Sequence, residues 1–149
     1  EPLVEQAVTA MRTLNKAAAE ALADQPVHAC TDITGFGLIG HASEMAAGSG
    51  VTIELNSAAV PLLDGVLPLV AANRSGGLAS NRAHFGPGVE RAAGVSDALM
   101  DLFFDPQTSG GLFVAVPESA APAAASRLPQ GSVAVGRVGP ASAHTVRIR

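Results

Sequence analysis

The stretch His28-Ala-Cys-Thr-Asp-Ile-Thr-Gly-Phe-Gly-Leu-Ile-Gly40 constrains this chain more than any other. A short apolar segment leads into a glycine-rich turn and then into helical spacing, so it reads as strand, turn and helix. Gly35, Gly37 and Gly40 have the spacing G-x-G-x-x-G, and Asp32 stands just before them. Glycines let a backbone come close to a ligand, and a helix N-terminus favours anions. A phosphate site is therefore the first reading of this stretch.

Three readings of the turn stay open on pattern alone. The first is a dinucleotide fold. The glycines follow a predicted strand and open a helix, and Glu54 lies about 20 residues on, near where such folds place a ribose-binding acid. Against it, Asp32 would repel a directly bound pyrophosphate unless a metal intervened, and the downstream chain lacks repeated strand–helix–strand units. The second is a tight strand-to-helix turn with no ligand. The third is a metal–nucleotide site, because Mg²⁺ takes oxygen ligands and bridges carboxylates to phosphates. Asp32 at a strand end is a natural donor, and Thr31 and Thr34 can add hydroxyls. One carboxylate alone makes a poor metal site, so this reading needs further ligands from elsewhere.

Composition narrows the classes. A chain of 149 residues is one domain, and 48% hydrophobic residues supply a core. With five Phe and no Trp or Tyr, that core is expected to be built from Val, Leu, Ile and Ala. A net charge of −4 without a block of Lys or Arg argues against nucleic-acid and membrane-surface partners. The single cysteine, Cys30, excludes an internal disulfide and a cysteine-rich metal site, and suits a cytoplasmic protein. Its place inside the predicted strand reads as a buried apolar cysteine. The chain starts at Glu1 without an initiator Met, as a piece of a longer protein would.

Apolar residues at helical spacing predict a helix over Glu1–Ala23, ended by Asp24-Gln-Pro26. Val27–Ile33 reads as a strand, Thr34–Gly37 as the turn, Leu38–Ala47 as a helix stopped by Gly48 and Gly50, and Val51–Leu55 as a strand. A short helix near Ala58–Leu63 and another over Val66–Asn73 come next, then a polar loop over Arg74–Gly88. Arg74 and Arg82 in that loop are either solvated or available to phosphate. Ser96 caps a helix running to Phe103, and Leu112–Val116 is an apolar strand. A helix over Glu118–Leu128, secure only from Pro122, and strands over Val133–Val138 and Thr145–Ile148 complete the chain. Strands mixed with helices, without strict alternation, predict an α+β fold with a mixed sheet layered against helices.

Thr31-Asp-Ile-Thr-Gly-Phe-Gly-Leu-Ile-Gly-His41, followed by Asp105-Pro-Gln-Thr-Ser-Gly-Gly111, resembles selenophosphate synthetase (selenide, water dikinase). The match is to its C-terminal domain, of the type shared with aminoimidazole ribonucleotide synthetase. Met11-x-x-Leu14-Asn15-x-Ala17 and Gly76-Gly77 with Asn81 look like the same family. The resemblance implies an ATP-dependent, Mg²⁺-dependent cytoplasmic homodimer that makes selenophosphate, AMP and phosphate from selenide, ATP and water. It also implies that Asp32 ligates Mg²⁺ on the ATP phosphates. Thr34, Gly35, Gly37, Asn81, Ser109, Gly110 and Gly111 then fall at the nucleotide cleft. No catalytic residue is expected in this chain, because the family's catalytic Cys or selenocysteine and Lys belong to an N-terminal domain that is missing here. Leu78 departs from the family, which often has Thr after the double glycine.

Overall fold

In a computed structural model, residues 2–149 are described; Glu1, the first residue of the predicted opening helix, lies outside them. The predicted opening helix is broken into α1 (Pro2–Arg12) and α2 (Lys16–Leu22). The Thr13 hydroxyl donates back to the Thr9 carbonyl, and Asn15 takes the position before α2 with its side chain engaged elsewhere. Strand β1 (Ala29–Asp32) follows, then α3 (Gly37–Ser49), closed by Gly50 in the left-handed region at φ 65°. Strand β2 (Val51–Leu55) falls where alternation predicts it.

The middle differs most from expectation. The helix predicted near Ala58–Leu63 is only a 3₁₀ turn, Ser57–Ala59, where the Asn56 side chain accepts from the Ala58 amide at 3.2 Å. Val66–Asn73 is likewise a 3₁₀ stretch, Leu67–Ala72. The predicted loop contains a helix, α4 (Gly76–Phe85), and just past its end lies a short strand unforeseen in the sequence, β3 (Val89–Arg91). Helix α5 (Asp97–Phe104) starts at Ser96, whose Oγ accepts from the Leu99 amide at 3.2 Å. Strand β4 (Leu112–Ala115), helix α6 (Ala121–Arg127, after a 3₁₀ turn), and strands β5 (Gly136–Pro140) and β6 (Val146–Ile148) complete the chain. Strand β5 sits further along than the predicted Val133–Val138.

The strands form two sheets. Four pair in the order β3-β6-β2-β5, with β2 antiparallel to β5 and β6 parallel to both β2 and β3. Strands β1 and β4 form a separate antiparallel ribbon. The larger sheet turns Ile53, Leu55, Val146 and Ile148 onto α3, where Ile39, Ala42 and Ala46 lie, and α4 and α5 pack on α3 to complete the core. Phe85, Phe103 and Phe104 also lie in this core, so it holds aromatic rings as well as the aliphatic residues that composition suggested. The other face of the sheet carries a row of alternating charge. Glu90, Arg147, Glu54 and Arg137 stand side by side in register across the four strands. Ion pairs link Arg147 to Glu90 and Arg137 to Glu54, both at 2.8 Å. The α+β class with a mixed sheet under helices is what the structure has. Among the described residues, no helix is long and apolar enough to cross a membrane.

Candidate functional site

The site is built where the β1–β4 ribbon meets the start of α3. Side chains alternate across a strand, so Cys30 and Asp32 share a face, and both are exposed. Cys30 is thus not the buried cysteine that its apolar neighbours suggested: β1 belongs to a two-stranded ribbon with one open side. Its thiol pKa is raised, first by partial desolvation and then by the negative charge of Asp32. A thiol held protonated is a poor nucleophile.

Past Asp32, the chain locks onto the Asp105–Gly111 tract. The Ile33 amide donates to the Gly111 carbonyl at 3.0 Å, and the Gly110 amide returns a bond to the Ile33 carbonyl at 2.9 Å. The Thr34 carbonyl accepts from the amides of Gln107 and Gly37, each at 3.0 Å. Gly110 fits because a Cβ there would overlap the Ile33 carbonyl. Gly37 sits at φ +68°, and a Cβ on it would lie 2.8 Å from the carbonyl oxygens of both Phe103 and Asp105. Two motifs far apart in sequence are therefore one surface.

Three side chains brace that surface from behind. Asn15 Nδ2 donates to the Gly110 carbonyl at 3.0 Å. Asn81, buried on α4, donates to the carbonyls of Gly35 and Phe104, both at 2.9 Å. His41 Nε2 accepts the Thr34 amide at 3.0 Å, with the Thr34 hydroxyl 3.2 Å away. An amide N–H can only donate, so Nε2 keeps its lone pair and a neutral ring carries its proton on Nδ1. The ring also lies against Phe36, with centroids 5.4 Å apart. Asn15 and His41 were not counted among the site residues in the sequence. The available signals were Asn15 just before a run of helix formers and His41 one turn into α3.

The glycine spacing acquires a different meaning here. Gly37 approaches the end of α5, and a Cβ on Gly40 would lie 2.7 Å from the Phe85 ring. Two of the three fingerprint glycines thus let protein approach protein; around Gly35 a Cβ would meet open space. Strands β1 and β2 also lie in different sheets, whereas a dinucleotide fold needs them parallel in one. The fingerprint is satisfied locally without that fold.

Of the residues expected at the cleft, Thr34, Gly35, Gly37, Gly110 and Gly111 meet in this surface, and exposed Ser109 adjoins them in the chain. Asn81 also reaches the surface, but its amide is spent on two backbone carbonyls. Arg74 and Arg82 are partly exposed, but they are not unpaired loop charges. Both pair with the buried carboxylate of Asp101 on α5: Arg74 through Nε at 3.0 Å and a terminal nitrogen at 2.8 Å, Arg82 through a terminal nitrogen. Beside them the Ser75 hydroxyl donates to Asp105 Oδ1 at 2.5 Å, tying the tract to the start of α4.

Residues 3–149 match the family described as AIR synthase related protein, C-terminal domain. The chain belongs to that family. Its curated relatives in this AIR synthase-related family include the selenide, water dikinase of Geobacter metallireducens. That protein is 45% identical over 150 residues, which cover 98% of this chain and 43% of the relative. The selenide, water dikinase of Caldanaerobacter subterraneus subsp. tengcongensis is 42% identical over 148 residues, covering 96% and 43%. The chain thus spans less than half the length of these relatives. Among solved structures, thiamine monophosphate kinase from Aquifex aeolicus superposes with TM-score 0.56 at 20% identity, over 99% of this chain and 40% of that one. The E. coli hydrogenase maturation protein HypE does so with TM-score 0.54 at 20% identity, over 97% and 40%. Both share the fold.

Among the described residues no group of three His, Cys, Asp or Glu side chains could hold a metal ion. The donor set here is a single exposed carboxylate, Asp32, beside a turn of glycines and threonines. That fits one ligand of a hard cation whose other ligands are phosphate oxygens and groups outside these residues, not a self-contained metal centre.

Proposed function

We propose that this chain is the C-terminal domain of an enzyme that makes selenophosphate from selenide, ATP and water, releasing AMP and phosphate. In this reading Asp32 is a Mg²⁺ ligand on the ATP phosphates, and the surface formed by Thr34–Gly37 and Ser109–Gly111 is one wall of the nucleotide cleft. The observation that carries it is the bonded closure of the Asp32 turn onto the Asp105–Gly111 tract, in a chain 45% identical to a selenide, water dikinase. Mg²⁺, when bound, would neutralise phosphate charge. The chain's own work is to hold the Asp32 carboxylate and the turn amides in fixed relation, through Asn15, His41 and Asn81. The catalytic groups lie in the remaining part of the full-length protein, which acts in the cytoplasm as a homodimer.

The test is a turnover assay on the full-length enzyme, following AMP from ATP with and without selenide. Selenide-dependent AMP is expected. AMP that ignores selenide, or turnover only with the substrate of aminoimidazole ribonucleotide synthetase, would move the chain to another branch of the family. Asp32→Asn in the same enzyme should lower the rate steeply and raise the Mg²⁺ needed for half-maximal activity; an unchanged rate removes Asp32 from the metal site.

A further inference from the structure

Helix α1 is placed against expectation. Its apolar stripe includes Val4, Val8 and Met11, which one face of a helix brings together. In a domain closed on itself that stripe would be buried. Instead no described residue of α1 is buried, and Val4, Val8 and Met11 are 55%, 40% and 43% exposed. Leu14, just beyond the helix, is 77% exposed. The helix rests on the domain by a different flank, where Leu3, Gln6 and Ala7 are half-buried and Gln6 Oε1 accepts the Asp64 amide at 3.1 Å; polar Glu5, Thr9 and Arg12 face water. A helix that is half-covered on one apolar flank and leaves Val4, Val8 and Met11 in water on the next presents a surface suited to being covered.

The outer face of the large sheet offers a contrast. It too lacks a covering layer, but its row Glu90–Arg147–Glu54–Arg137 suits water. Of these two uncovered faces, α1 is the one that gains by burial. The family is a C-terminal domain, and more than half of each curated relative lies outside the matched region. Helix α1 is the first element of the domain, next to where such a preceding portion joins.

We infer that the apolar flank of α1, with Val4, Val8 and Met11 at its centre, is the docking face for the portion of the full-length polypeptide that precedes this domain. The inference rests on membership of the family and not on the reaction catalysed, so loss of the selenophosphate reading would leave it standing.

Hydrogen exchange and thermal unfolding of the full-length protein test it, with no activity readout. Amides of Val4–Met11 should exchange at least about tenfold more slowly than expected for a solvent-facing helix. Val8→Glu should lower Tm by about 2–4 °C or more, whereas Thr9→Glu on the polar flank should leave it unchanged. Fast exchange throughout α1, or equal Tm for the two variants, overturns the inference. So does Val8→Glu converting a dimer to a monomer in light scattering with Tm of the monomer unchanged, since the face would then belong to a second copy.

Discussion

Cys30 and Asp32 lie two residues apart on one strand face, and that spacing decides their chemistry. The thiol is exposed yet its pKa is pushed up, by desolvation first and by Asp32 second. Alkylation of Cys30 at mildly alkaline pH should therefore be slower than that of an unhindered thiol, and Asp32→Asn should speed it; mass-spectrometric labelling rates check both. Asn81 is the opposite case, a buried side chain whose amide goes to two carbonyls. Asn81→Ala leaves the buried Phe104 carbonyl without this donor and the Gly35 carbonyl to solvent, and should cost about 1–3 kcal/mol in urea unfolding. Asp32 stands out in the sequence because nothing in a dinucleotide fingerprint asks for it, and the structure puts its carboxylate on an exposed strand face. The role of Asn81 was not legible, because a polar residue in a glycine-rich context looks the same whether it meets a ligand or a backbone. Cys30 was misread because the apolar letters around it do not say that β1 belongs to a ribbon open on one side.

The α3 pattern, with its glycine stops, and the alternation in β2 were readable locally, and both elements are where they were expected. Helix α4 was hidden because Gly76, Gly77, Ser80 and Asn81 weaken its propensity. Tertiary contacts hold it instead: Leu78, Asn81 and Phe85 face inward, and Arg82 reaches Asp101 on α5. Asp101 thereby ties α5 to α4 and to the segment before it, from which its two guanidinium partners come. Asp101→Asn should destabilise by about 2–3 kcal/mol, less than a fully buried pair would lose because both arginines are partly exposed and can regain water. A shift in urea midpoint with an unchanged slope is the expected signature. Gly37→Ala should cost about 1–3 kcal/mol from its positive φ, and displace the end of α5 besides. Strand β3 was missed for a simpler reason: three residues are too short for a period to show.

For the molecule as a whole, the acid limb of stability belongs to a few surface carboxylates. Glu90 is held below its ordinary pKa by the hydrogen bond from Arg149, with the charges of Arg149, Arg147 and His144 adding to it. Asp97 is lowered in the same way, chiefly by the hydrogen bond from Arg91. Folded values below unfolded ones mean that this stability is present above the ordinary carboxylate pKa and is lost as pH falls through the folded values. The urea midpoint should therefore decline on acidification below about pH 4.5, and Glu90→Gln should flatten that decline. Added salt should weaken the same contribution, since the groups are open to solvent.

The separate ribbon also fixes an order of events in time. Asp32 is held in register by Leu112, so the strand that orders it is made long after it during synthesis. Closing so distant a pair carries a loop entropy that the intervening helices must first reduce by folding. The Asp32 turn should thus be among the last parts of the domain to take shape. A nascent chain stopped short of Leu112 would hold the whole Asp32 motif in its sequence and still lack the partner strand that orders it.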